Sequence, residues 1–312
     1  VPRLYDVLHE RIMRGIRAKG GLSERLFMET VRLGRKRLAG KRLLPHEFLL
    51  NLLLERLVRE KVHARLGGRL KYFISGGAAL NPEIGSFFLA LGVKLLQGYG
   101  QTEASPVISA NRPGKIKIET VGPPVAGVEV RFADDGEILV RGDLLMKGYW
   151  RDEHSTAAAI QGGWLHTGDI GSCDEDGYIT ITGRKKEIIV NSGGENIVPS
   201  RVEALLTIEP EIEQAMVDGD QRPWLAAVIV PSAEARKTAG SSEALRLLIA
   251  DTVERANGRL SQIERVRRFV IADEEFTPQN NKLTATLKVR RHVVKAEFKE
   301  RIDALYSRQQ QI

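Results

Sequence analysis

The stretch "LKYFISGGAALNPEIGSFFLALGVKLLQGYG", residues 70–100, narrows the fold more than any other. A short run of β-formers ends in a glycine pair. "NPEIGSFFLALG" then reads as a helix, with Asn81 as N-cap and Pro82 at the first helical position. "VKLLQGYG" is a second strand. Strand, glycine turn, helix and strand in that order predict a parallel βαβ unit, whose sheet needs cover on both faces.

Helices precede this unit. Residues 5–66 read as helical, and "EFLLNLLLERLVREKVHARL" puts Leu50, Leu53, Leu54, Leu57 and Val58 at helical spacing with Arg and Glu opposite. Gly67 and Gly68 end it. After residue 120 the language changes. "VGPPVAGVEVRFADDGEILVRG" alternates apolar and polar residues around an Asp-Asp-Gly turn, which predicts an antiparallel hairpin. "GYITITGRKKEIIV" predicts another, with Asp174–Gly177 as its turn. Beyond Arg184 a smaller α+β unit is expected. It has a helix from Pro199 to about Thr207, strands near "EQAMVDG" and "WLAAVIVPS", a helix at 242–258, a strand at "VRRFVIAD" and a C-terminal helix from about 286. The fold class is therefore α/β followed by α+β, with residues 1–184 in one domain and 185–312 in the next.

Charge adds one constraint. Residues 1–70 hold 17 Lys+Arg against 7 Asp+Glu, whereas the other 242 residues hold 30 against 33, so the net charge of +7 belongs to the first segment. A basic segment suits a nucleic acid, an anionic membrane surface or plain solvated helix faces. It lacks the aromatic interleaving of a nucleic-acid surface, so no nucleic-acid partner is expected. The single cysteine, Cys173, excludes an internal disulfide framework and fits a reducing compartment. No run approaches the ~18 apolar residues of a spanning helix.

Chemistry concentrates in four turns. "SGGAAL" follows a strand and precedes a helix, where exposed backbone can hold a flat ring or a phosphate. "YGQTE" sets the Thr102 hydroxyl beside the Glu103 carboxylate, which suits a phosphate and its magnesium and equally suits an ordinary loop. In "WLHTGDIG", Asp169 could accept two hydrogen bonds from a ribose diol or simply form the turn. His166 has no sequence partner and reads as a bystander. The fourth turn, "GRKKEIIVNSGGENIVPSRVEA", is basic and then glycine-rich. One cysteine and six scattered histidines make no zinc cluster, and neither a G-x-S-x-G elbow nor a G-x-x-x-x-G-K-[ST] loop is present.

In order, "SGGAAL", "YGQTE", "GEILVRG", "WLHTGD", "GYITITGRKKEIIVNSGGENIVPSRVE" and the closing "FTPQNNKLTATLKVRR" resemble the adenylate-forming acyl-activating enzymes. Within them the chain is most similar to long-chain fatty-acid–CoA ligases, over nearly its whole length. The resemblance implies that a fatty acid is activated with ATP and magnesium to acyl-AMP and then passed to coenzyme A. Gly76, Gly77 and Ala78 would line the adenine, with Gly98 and Tyr99 nearby. Thr102 would touch the phosphate, Glu103 hold magnesium, and Asp169 bind the ribose hydroxyls beside Arg184. Magnesium takes hard oxygen ligands, usually one or two carboxylates plus phosphate oxygens. Lys186 falls at the family's hinge and Gly193 and Gly194 along the pantetheine arm. Lys288, from "Lys-Val-Arg-Arg", would be the adenylation lysine, with Lys282 as competitor.

The family's Ser/Thr/Gly-rich phosphate loop, ending in Pro-Lys-Gly, is not among these residues. The chain accordingly resembles the C-terminal part of the large domain followed by the small mobile domain. Loading of a carrier protein, or a non-catalytic remnant keeping the nucleotide half-site, are the alternatives. A cytoplasmic location with peripheral contact to anionic membrane is the corresponding expectation.

Overall fold

The computed structural model describes residues 3–285 and 287–307. It divides into two compact units, with the cut between Thr182 and Gly183.

The first unit opens with helices α1 (Arg3–Lys19) and α2 (Gly21–Leu38), then α3 (Pro45–Leu54), which runs through a π-turn into α4 (Glu60–Arg65). Strand β1 (Phe73–Ser75), helix α5 (Pro82–Ala90) and strand β2 (Leu95–Tyr99) form the βαβ unit, with β1 and β2 parallel and Phe73 opposite Leu95. The Asn81 side chain caps α5 by accepting the Glu83 N–H at 2.9 Å. Strand β3 (Ser109–Ala110) joins β2 antiparallel. The second sheet holds β4 (Glu129–Phe132), β5 (Glu137–Arg141), β6 (Ile160–Gln161), β7 (Trp164–Cys173) and β8 (Ile179–Arg184), in the order β4-β5-β7-β6 with β8 also on β7. Helix α6 (Glu153–Ala159) precedes β6. The turn before β8 closes through Asp174, whose Oδ1 accepts the Asp176 and Tyr178 N–H groups.

Phe27, Leu33, Leu54, Phe87, Phe88 and Leu95 fill the helical core, and Ile138, Val140, Leu165 and Ile179 fill the core of the second sheet. Helix α3 departs from the expected amphipathic pattern. Leu54 and Val58 are buried as their spacing predicts, but Leu53 is 52% exposed, and Phe48, Leu49 and Leu52 are more than half exposed. The buried face instead carries Glu47, Asn51 and Arg59. Two of these are well partnered. Glu47 accepts from Lys36 at 2.5 Å, Leu44 N–H at 2.9 Å and Arg32 at 3.0 Å, and Arg59 donates to the Ala90 carbonyl at 2.9 Å. Satisfied polar groups can occupy a core face that periodicity alone assigns to leucine.

The second unit starts with a short hairpin, β9 (Ile189–Val190) and β10 (Asn196–Ile197), followed by α7 (Pro199–Leu206). Strands β11 (Ile212–Asp218), β12 (Leu225–Pro231) and β13 (Val266–Ile271) form its sheet, with β11 antiparallel and β13 parallel to β12. Helices α8 (Ala233–Ala239) and α9 (Ser242–Asn257) link β12 to β13. Every residue of β12 is buried, because α7 and α9 cover one face and the C-terminal helices the other.

The C-terminal helix expected from about 286 begins instead at Arg291. It breaks at Phe298 into α10 (Arg291–Glu297) and α11 (Lys299–Ser307). A tight turn uses the preceding backbone groups. Thr284 N–H donates to the Lys288 carbonyl and Leu287 N–H to the Thr284 carbonyl, both at 2.8 Å, and Leu287 adopts φ +62°. Lys288 therefore sits in a loop rather than on a helix. Among the described residues, no helix is long and apolar enough to cross a membrane.

Candidate functional site

In the first unit the candidate residues gather at the carboxyl ends of β1 and β2. Parallel strands open a crevice at that end. Gly76, Gly77 and Ala78 leave β1 as a half-buried to exposed turn. Gly76 lies so close to β2 that a side chain there would meet the Gly98 carbonyl at 3.3 Å. Gly100 has a stricter reason to be glycine, since a Cβ would stand 1.8 Å from the Pro106 carbonyl oxygen. That contact folds "YGQTE" back on itself and starts the short helical turn Thr102–Ala104. Thr102 is exposed on this turn and Glu103 is half-buried.

The ribose candidate joins this group from the middle of β7. Tyr99 Oη donates to Asp169 Oδ2 at 2.7 Å, and both residues are buried. The turn holding Asp169 is pinned from β5. Glu137 Oε1 accepts the Gly168 N–H at 2.9 Å, and Glu137 Oε2 lies 3.4 Å from His166 Nδ1. Thr167 Oγ1 donates to the Ile138 carbonyl and accepts the Asp169 N–H. His166, expected as a bystander, is thus part of the support beneath the site.

Tyr149 and Glu137 also belong to this group, and the sequence alone does not single them out. Tyr149 Oη donates to Glu103 Oε1 at 3.0 Å across 46 residues. Burial, then the bond to Glu103, pushes the Tyr149 phenol above its usual range, so it remains a donor at neutral pH. "GYW" and the Glu of "GEILVRG" were the available signals, and neither residue type names its partner.

Two orphaned polar atoms lie at the same strand ends. Ser75 Oγ and Gln101 Nε2 are buried with no hydrogen-bond partner among the described residues. Buried polar atoms are normally satisfied, so a polar ligand in the crevice would suit them. No group of three or more His, Cys, Asp or Glu able to hold a metal occurs among the described residues. A lone carboxylate beside a hydroxyl fits magnesium that takes its other ligands from phosphate and water, rather than from a protein cage.

The remaining candidates lie in the second unit. Arg184 and Lys186 are exposed, and the Arg184 carbonyl accepts the Glu187 and Ile188 N–H groups, which puts Lys186 in a tight turn. Gly193 and Gly194 form the exposed tip of the β9–β10 hairpin, closed by Asn191 Oδ1 accepting the Gly193 and Glu195 N–H groups at 2.9 Å. The two candidate lysines differ sharply. The Lys282 side chain is 2% exposed and bonds Glu274 Oε1 at 2.6 Å and Glu297 Oε1 at 2.9 Å. Burial works to lower its ammonium pKa, and the bonds to Glu274 and Glu297 outweigh it, so the net direction is upward. Lys288 is exposed on its loop, held through its backbone by Thr284. Lys282 is thus tied into ion pairs within the second unit, whereas the Lys288 side chain is exposed.

Comparison with known proteins places the chain among enzymes of one family. Residues 45–150 match the AMP-binding enzyme family and residues 186–310 the AMP-binding enzyme C-terminal domain. A long-chain-fatty-acid–CoA ligase of Mycobacterium bovis is 42% identical over 82% of this chain and 45% of its own length. A chloroplastic long-chain-fatty-acid–[acyl-carrier-protein] ligase of Arabidopsis thaliana is 35% identical over 83% of this chain and 38% of its own length. The chain thus spans about half or less of these relatives. Among solved structures, the A domain of carboxylic acid reductase from Segniliparus rugosus, in complex with AMP and a co-purified carboxylic acid, is 27% identical. It has a TM-score of 0.70 and covers 91% of this chain and 46% of that one.

Proposed function

The chain belongs to the AMP-binding enzyme family, and from that premise we propose that it carries the nucleotide half-site of a long-chain fatty-acid–CoA ligase. In the first step the fatty-acid carboxylate attacks the α-phosphorus of ATP and releases pyrophosphate, giving acyl-AMP; in the second the coenzyme A thiol takes the acyl group and releases AMP. The observation that carries this reading is the buried Tyr99–Asp169 pair, with Tyr99 on the strand parallel to the one that leads into the Gly76–Ala78 turn. A buried carboxylate fixed by a phenol presents a rigid acceptor for a ribose diol. Thr102 and Glu103 on the adjoining turn would meet the α-phosphate and its magnesium. Magnesium, when bound, supplies charge neutralisation on the phosphates. Lys288 would stabilise the charge that builds as the carboxylate attacks, helped in nucleotide binding by Arg184. Lys186 would act as hinge between a large-domain part, 1–184, and a small mobile domain, 185–312, with Gly193 and Gly194 against the pantetheine arm.

Calorimetric titration of this chain with AMP tests the half-site. Binding that Asp169→Ala abolishes supports the reading, and absence of binding by folded protein refutes it for this chain. Fatty-acid-dependent exchange of pyrophosphate into ATP reports the first chemical step, and consumption of free coenzyme A the second. A second reading, loading of a carrier protein, is favoured by the likeness to the acyl-carrier-protein ligase. Acyl-AMP formation without coenzyme A consumption would select it. We also propose a cytoplasmic protein whose basic N-terminal helices, with exposed Phe48, Leu49 and Leu52, touch anionic membrane. Failure to co-sediment with anionic vesicles at low salt rules this out.

A further inference from the structure

We propose that Tyr149 is a positioning residue that fixes Glu103 for magnesium; the inference rests on the reading of Glu103 given above. A glutamate on an exposed turn has several side-chain rotamers, and a cation bound through one of them must first freeze the others. Here the freezing is already done. The segment ending at Tyr149 holds residue 103 twice. Met146 N–H donates to the Glu103 carbonyl at 2.8 Å, and Tyr149 Oη donates to Glu103 Oε1 at 3.0 Å.

The strap is itself anchored. Thr156 of α6 accepts the Tyr149 N–H at 2.8 Å through Oγ1 and donates to the Asp152 carbonyl at 2.7 Å. Gly148, at φ +150°, passes so near that a Cβ would stand 2.8 Å from Thr156 Cγ2. Asp152 caps the same helix by accepting the Ser155 N–H at 2.9 Å. A line of fixed contacts therefore runs from α6 through Thr156 and Gly148 to the Tyr149 phenol and on to Glu103.

The phenol is suited to this role by its chemistry. It occupies one lone pair of Oε1 and leaves Oε2 and the full negative charge for a hard cation. A lysine in its place would fix the geometry equally well but neutralise the charge. Metal ligands are commonly oriented by such hydrogen-bonded outer partners, and their loss weakens affinity without removing a ligand.

The test is calorimetric titration of the full chain with α,β-methylene-ATP over a series of magnesium concentrations. Four proteins are compared: wild type, Tyr149→Phe, Glu103→Gln and the double variant. The expected result is that Tyr149→Phe weakens magnesium-dependent binding roughly ten- to hundredfold, as loss of one hydrogen bond to a charged metal ligand predicts. Its magnesium-free affinity and melting temperature stay at wild-type values. In the Glu103→Gln background the phenylalanine adds nothing, because the tyrosine acts only through that carboxylate. If Glu103→Gln removes the magnesium dependence and Tyr149→Phe does not reduce it, the inference falls and the reading of Glu103 stands. Equal losses with and without magnesium, or additive effects in the double variant, mean a merely structural tyrosine and overturn it. Wild-type binding that ignores magnesium overturns both.

Discussion

Substitution of the two candidate lysines separates a structural ammonium from an available one. Lys282→Ala removes three buried methylenes at ~0.8 kcal/mol each. It also loses two ion pairs whose carboxylates are 62% and 47% exposed, so water screens them and replaces them readily. Together the loss is about 3 kcal/mol. Lys282→Met refills the methylene volume and leaves a deficit of about 1 kcal/mol. Thermal melting followed by circular dichroism reads the difference, at roughly 4 °C per kcal/mol for a unit of this size. The pH dependence has a definite sign. The folded pKa of Lys282 is raised above its ordinary 10.5, so its contribution is complete below that value. It is lost as pH rises through the folded value, and Lys282→Met should flatten that alkaline decline. Lys288→Ala, by contrast, removes an exposed side chain and should shift stability by less than about 0.5 kcal/mol. On the proposed role of Lys288, the same substitution should lower pyrophosphate exchange by about 100-fold or more, the usual loss for one group that stabilises transition-state charge. A folded Lys282→Met protein that melts normally but has lost exchange, beside an active Lys288→Ala, would refute the reasoning.

Three further outcomes follow from the same geometry. Tyr99→Phe should weaken AMP binding about tenfold in calorimetry while the protein stays folded, since buried Asp169 loses a charge-assisted bond; unchanged affinity would remove Tyr99 from the site. Gly100→Ala should destabilise by about 3 kcal/mol or more, because backbone at 1.8 Å cannot move aside; a wild-type melting temperature would contradict this. Lys36, the Leu44 N–H and Arg32 hold Glu47 at about 2, below its ordinary 4.5. Its contribution is therefore complete above pH 4.5 and lost as pH falls toward 2; helical circular dichroism should decline over that window in wild type and less so in Glu47→Gln.

The local chain grammar was legible wherever one interaction decided it. Asn81-Pro82 announced α5, and Asp174–Gly177 announced the turn before β8, because caps and turns are set by residues a few positions apart. Failures came where distant partners decide. Leu53 had the spacing of a core residue, yet Lys36 and Arg32 draw Glu47 inward and turn that leucine outward. Lys288 had helical neighbours, yet the Leu283–Val289 bridge and the turn at Thr284 hold it in a loop. The candidate residues stand out in the sequence as ordered motifs, and the side chains that hold them in the structure do not. Nothing in "GYW" says that its tyrosine answers a glutamate 46 residues earlier.

The partners of the carboxylates suggest why Glu103 differs from its neighbours. Glu47 is bound by Lys36 and Arg32, Glu203 by Arg291, Glu129 by Arg141, and Glu209 and Glu211 by Arg255. In each case a cationic side chain faces the carboxylate within the fold, Arg255 serving both Glu209 and Glu211, and the pairing stiffens helices or strands. Glu103 is instead held by a neutral phenol, which fixes its direction, and no ion pair to it occurs among the described residues. A half-buried carboxylate keeps contact with solvent and stays open to an incoming cation. A cation carried on a phosphate is the occupant whose charge, hardness and geometry all suit a single oriented carboxylate beside a hydroxyl. On the proposed reading the phenol adds to the motif, because the motif fixes only the order of residues, whereas the hydrogen bond fixes the direction of the carboxylate without a cation paired to it among the described residues.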